Sequence, residues 1–136
     1  MEKIDHFAVQ AVGVPFKAGG ADFRGWSCWG MLRAAYRECF GLELPDLEDC
    51  RLQGPEEVRP ALDALALAYR EIPPGQERPG DVLLLRGHPC HAAMVVALGL
   101  MLHVDRGCAT CIEPYLSGVW KPRVLGIYRY EQLTAD

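Results

Sequence analysis

The sequence contains no apolar run near the roughly 18 residues that a membrane-spanning helix requires. It has no block of lysines and arginines, and its net charge is −4. The basic footprint of a nucleic-acid binder is therefore missing. The N-terminus, MEKIDHFAVQAVGVPF, has no basic segment followed by an apolar stretch and a small-residue cleavage site. That absence argues against a secretory signal and leads us to expect a protein made in the cytosol, which stays there or leaves by another route. Cys108 and Cys111 form a CxxC with Cys90 and His91 upstream, but no second CxxC or HxxxH completes a zinc set. No helix-start pattern follows this CxxC, which weighs against a thioredoxin-like redox role. We expect no metal and no cofactor. Repeats and low-complexity segments are also lacking.

What is present suits one domain spanning 1–136, because half of its residues are apolar and can form a core. Without a secretory signal, the six cysteines are expected to be reduced thiols, most of them small buried apolar groups. Residues 13–25 are glycine-rich and read as a loop. From Cys28 to Phe40 the apolar residues Met31, Leu32, Ala35, Tyr36, Cys39 and Phe40 recur at helical spacing. Ser27 suits the N-cap and Gly41 the C-terminal cap. A second helix is expected from about Pro55 to Tyr69, with Glu56 and Glu57 at its positive end. Beyond a Pro/Gly connector come short β-like runs: Asp81–Leu85, His91–Val96, Leu100–Val104, Cys111–Glu113 and Val124–Tyr130. Helices first and strands afterwards imply an α+β fold, with N-terminal helices packed on a small antiparallel sheet.

Three residues are candidates for chemistry. Cys28 opens a helix, where the positive end of the dipole favours a thiolate. A buried structural cysteine is the competing reading of that position. His91 starts one strand and His103 ends the next. Twelve residues separate them, so a hairpin centred on Ala97 would set them directly opposite, with Cβ atoms about 4.5–5.5 Å apart. A two-residue turn would instead put them on opposite faces. Two unrelated histidines are the bland alternative. Taken together, Cys28, His91 and His103 match the papain-type order of nucleophile, base and orienting group. Such a set performs acyl transfer: the thiolate attacks a carbonyl, the base shuttles the proton, and backbone N–H groups hold the oxyanion.

These segments resemble the NlpC family of papain-like cell-wall cysteine peptidases over about residues 13–130. The matching motifs are Gly19-Gly20, Cys28-Trp29-Gly30, the helix ending Gly41-Leu42-Glu43-Leu44-Pro45, and Pro79-Gly80-Asp81. By resemblance, His91 and His103 stand at the second and third catalytic positions. The Cys-Trp-Gly segment and the ending GVWKPRVLGIYRY are similar to the branch found in phage tail proteins. The resemblance implies cleavage of peptidoglycan stem peptide, at the D-glutamyl–diaminopimelate bond. It also implies tail-tip and hub proteins as partners, and a tail-tip location after assembly in the host cytoplasm. Two positions depart from the family: Ser27 stands where Asp is usual before the cysteine, and Phe16 where Tyr is frequent. A catalytically weak or inactive tail-hub module that keeps the fold is therefore the alternative, and a host amidase or effector is a third class.

Overall fold

The structure is a computed structural model and describes residues 2–44, 69–86 and 91–131. The chain opens with α1 (Glu2–Ala11), whose Ile4, Phe7, Ala8 and Ala11 recur at helical spacing and are all buried. This helix is an addition to the expectations from sequence. A small hairpin follows, formed by β1 (Ala21–Asp22) and β2 (Gly25–Trp26). Helix α2 spans Cys28–Phe40, as its apolar spacing predicts. Ser27 Oγ accepts from the Gly30 N–H at 3.0 Å, and Gly41 closes the helix with φ 65°. Each cap satisfies backbone groups that a helix end otherwise leaves unpaired.

The remaining strands are β3 (Tyr69–Glu71), β4 (Val82–Leu85), β5 (His91–Ala97), β6 (Leu100–Asp105), β7 (Cys108–Pro114) and β8 (Val124–Tyr130). They form one antiparallel sheet in the order β3-β8-β4-β5-β6-β7. The α+β class and the helices-on-sheet arrangement are as expected. The helix expected from Pro55 lies outside the described residues, except for its last member. Tyr69 is in fact the first residue of β3, pairing with Tyr130, because sheet pairing and burial of its ring at 3% exposure override helical continuation.

Alternation along the strands builds two cores. Val82, Leu84, Ala92, Met94 and Leu102 pack with α1 and α2 on one face. Leu83, Leu85, Ala93, Val95 and Met101 pack with Tyr115, Trp120 and Ile127 on the other. A strand buried on both faces reads as a continuous apolar run, which is why β4 is Val-Leu-Leu-Leu.

Two of the sequence motifs act here as structural corners. In Pro79-Gly80-Asp81, the buried Asp81 carboxylate takes a two-pronged hydrogen bond from Arg129, at 2.8 and 2.9 Å. Gly80 O accepts from the Tyr36 hydroxyl at 2.6 Å and so ties this corner to α2. Of the paired glycines, Gly20 matters through close approach, since a Cβ there would lie 2.3 Å from Gly25 O. A Cβ on Gly30 would lie 1.9 Å from Gly20 O, so the loop can lie against the first turn of α2 only with glycine there.

Candidate functional site

Cys28 is the first residue of α2 and is half-buried against the helix-side core. Its local frame is stitched to the far edge of the sheet. Trp26 donates its indole N–H to Thr110 Oγ1 at 2.8 Å, and Thr110 Oγ1 donates to Val14 O at 2.9 Å. Gly13 N–H and Thr110 N–H add backbone bonds across the same seam, at 2.9 and 2.8 Å. The glycine-rich approach therefore covers part of the otherwise open edge of β7. Ser27 caps the helix through its hydroxyl and adds no charge of its own beside the Cys28 sulfur. Helix α2 packs on β5 and β6, the two strands that carry the histidines.

His91 and His103 meet through Nε2 and Nδ1 at 2.9 Å. Their registry differs from the expected one. The hairpin turns at Leu98-Gly99, with Ala97 opposite Leu100, a two-residue turn. Alone, that turn would send the histidines to opposite faces. A bulge between Val95 and Ala97 restores parity, giving Val95 opposite Met101 and Met94 opposite Leu102. Continued along the strands, this register makes His91 and His103 diagonal neighbours, which long side chains can span. An extra residue in one strand is what changes the parity. Both rings lie on the face away from the helices, beside Trp120. His91 stacks on the indole at 5.3 Å, and His103 meets it edge-on at 5.0 Å.

Burial, with His103 and Arg123 close by, holds His91 well below the usual histidine range. His91 is thus neutral near pH 7, as a proton acceptor must be. The pairing occupies its Nε2.

Sequence reasoning missed Glu113. Its Oε2 lies 2.5 Å from His103 Nε2 and accepts from the Trp120 indole N–H at 3.1 Å. Burial opposes ionisation of Glu113, but the bonds from His103 and Trp120 outweigh it and lower its pKa. The available signal was weak: Glu113 lies two residues beyond Cys111, on the same face of β7, and Cys111 sits directly opposite His103.

His103, Cys111 and Glu113 also gather three metal-type donor atoms within 4.8 Å. Around a tetrahedral ion with bonds of about 2.0–2.1 Å, N and O ligands would stand about 3.3 Å apart. At 2.5 Å the His103–Glu113 pair is a hydrogen bond rather than a ligand pair. Cys108 is exposed. Cys90, the other half of the weak zinc pattern, lies outside the described residues. Burial and then Glu113 raise the Cys111 thiol, while burial and then Glu38 raise that of Cys39, which contacts Lys3 O at 3.5 Å. Both are therefore poor nucleophiles at neutral pH.

Comparison with known proteins agrees with this architecture. Gamma-DL-glutamyl hydrolase of Bacillus subtilis is 24% identical over 132 residues, which is 93% of this chain but 29% of that protein. A Bacillus cereus NlpC/P60 family protein superposes with a TM-score of 0.70 at 18% identity, covering 95% of this chain and 39% of its own. The peptidoglycan hydrolase RipB of Mycobacterium tuberculosis superposes at 0.64 with 19% identity, covering 95% and 63%. The chain thus spans under a third of the curated relative. Residues 13–129 match the model of the NlpC/P60 family, and the chain belongs to that family.

Proposed function

We propose that this protein is a cysteine peptidase acting on peptidoglycan stem peptides, with Cys28 as nucleophile, His91 as base and His103 as orienting residue. The observation that carries this reading is the His91 Nε2–His103 Nδ1 contact, which engages Nε2 and so assigns the role of base to Nδ1 of a neutral imidazole. His91 is the first residue of β5, so its ring stands at the end of its strand. Cys28 and His91 Nδ1 would converge there from the two sides of the sheet. In the reaction, His91 Nδ1 takes the thiol proton as Cys28 Sγ attacks the amide carbonyl. The C–N bond breaks, and His91 returns the proton to the leaving amine. Water then hydrolyses the thioester, again with His91 as base. Backbone N–H groups at the start of α2 hold the oxyanion.

The bond is an amide of γ-linked D-glutamate to diaminopimelate. Supporting this are family membership and a relative whose name specifies γ-glutamyl hydrolysis. The cellular setting is a phage tail tip assembled in the host cytoplasm, with tail-hub proteins as neighbours. This rests on the tail-branch likeness of the Cys28-Trp29-Gly30 segment and the Trp120–Tyr130 ending. A second reading, an inactive hub module, is favoured by Phe16. Its ring lacks a hydroxyl and lies under the Arg106 guanidinium at 5.6 Å. Digestion of purified sacculi separates the two: the peptidase releases amine-terminated fragments and Cys28→Ala does not. A parent protein that assembles into tails without digesting cell wall would favour the module.

A further inference from the structure

We infer that Glu113 is a positioning residue that sets the tautomer of both histidines, so that the basic nitrogen of His91 is Nδ1. This deepens the proposed mechanism and rests on that reading for its catalytic consequence. The constraint runs along three adjacent strands. An ionised Glu113 can only accept, so His103 must present N–H at Nε2. A singly protonated His103, the form the test below checks, then has its lone pair at Nδ1. That lone pair can only accept, so His91 must present N–H at Nε2. The remaining lone pair of His91 is at Nδ1, where a thiol proton can go.

Without Glu113 the opposite arrangement becomes available. His103 can carry its proton on Nδ1 and donate to His91 Nε2. His91 then carries its own proton on Nδ1 and has no acceptor for the thiol. In a comparable catalytic set, the wrong imidazole tautomer is costly even with the geometry intact. Trp120 holds the carboxylate in place. Its indole N–H binds the same Oε2 that accepts from His103, while its ring packs against both imidazoles. Cys111, opposite His103 with its sulfur 3.7 Å from Nε2, also faces this oxygen, at 3.9 Å, and its raised pKa keeps it a neutral thiol.

The test reads the tautomers directly. In protein carrying ¹⁵N-labelled histidine, two-bond and three-bond nitrogen–proton correlations at pH 7.5 identify which ring nitrogen bears hydrogen. The expected parent pattern is Nε2–H for both His91 and His103. Glu113→Ala should give His91 a substantial Nδ1–H population. Glu113→Gln should keep the parent pattern, because its amide oxygen can accept from both His103 and Trp120. Activity scales with the competent fraction. With stem peptide, kcat should therefore fall roughly tenfold or more in Glu113→Ala with KM unchanged, and return to near parent in Glu113→Gln. Glu113 is 41% exposed on an edge strand, so the variants are expected to fold. An Nδ1–H His91 or a doubly protonated His103 in the parent, or unchanged tautomers in Glu113→Ala, would overturn the inference. The tautomers are read without substrate. The expected pattern in a protein that hydrolyses nothing would sustain the inference and sink the peptidase reading instead.

Discussion

The two faces of the six-stranded sheet come from the same alternating strands but are finished differently. The helix face is apolar from Val82 to Leu102 and is covered by α1 and α2. The opposite face carries polar groups across three neighbouring strands, His91, His103 and Glu113, beside Trp120. The first face is a packing solution, which tolerates any volume-conserving set of apolar side chains. The second depends on registry, and one residue of slippage would separate its members.

Substitutions should part the two faces sharply. The largest effect is expected on activity. His91→Ala should lower kcat/KM on stem peptide by about 10²–10⁴-fold, the usual range for a general base, with little change in melting temperature. Equal digestion by parent and variant would remove His91 from the mechanism. Next comes the corner that both faces share. Asp81→Ala leaves the buried Arg129 guanidinium uncompensated and should cost about 3–5 kcal/mol in urea denaturation. A loss below about 1 kcal/mol would mean that the pair contributes as little as a surface ion pair does.

His103→Ala should retain a residual rate, and His103→Asn or Gln should recover part of the loss, because an amide can still hold an imidazole N–H. A His103→Ala enzyme as dead as His91→Ala would give His103 more than an orienting role. On the helix side, Ser27→Ala removes the cap and should cost about 1 kcal/mol. Ser27→Asp should keep the stability but slow alkylation of Cys28, since it adds a negative charge beside the thiolate. Faster alkylation would contradict the dipole argument.

A further effect concerns pH. His91 is depressed in the folded state, so the unfolded chain binds its proton first. Stability should hold above pH 6.5 and decline as the pH falls through about 6.5 toward the folded value. His91→Phe should flatten that decline, which chemical denaturation at several pH values would measure.

The legibility of the sequence follows the same division. Helix α2, with both caps, could be read because helical periodicity and capping are local. Strands β4, β5, β6 and β8 were located within one residue at each end for the same reason. Helix α1 is equally legible, because Ile4, Phe7, Ala8 and Ala11 recur at helical spacing. The His91–His103 meeting was foreseen for the wrong reason. A bulge near Val96 has no sequence mark as clear as a turn glycine, yet it decides which face each histidine takes. Glu113 was invisible because its role depends on the pairing of β6 with β7 and on a tryptophan seven residues away. The Pro79-Gly80-Asp81 motif was recognised, but its work as an Arg129-bound corner appears only with the fold.

The central claim is that Cys28 cleaves stem-peptide amide bonds with His91 as its base. Its most direct test is mass spectrometry of purified stem peptides incubated at neutral pH with the parent protein, Cys28→Ala and His91→Ala. The account predicts new amine-terminated fragments from the parent, a transient acyl adduct on the peptide that contains Cys28, and neither product from the two variants. Cleavage by Cys28→Ala, or an adduct on Cys108 or Cys111 in place of Cys28, would contradict it.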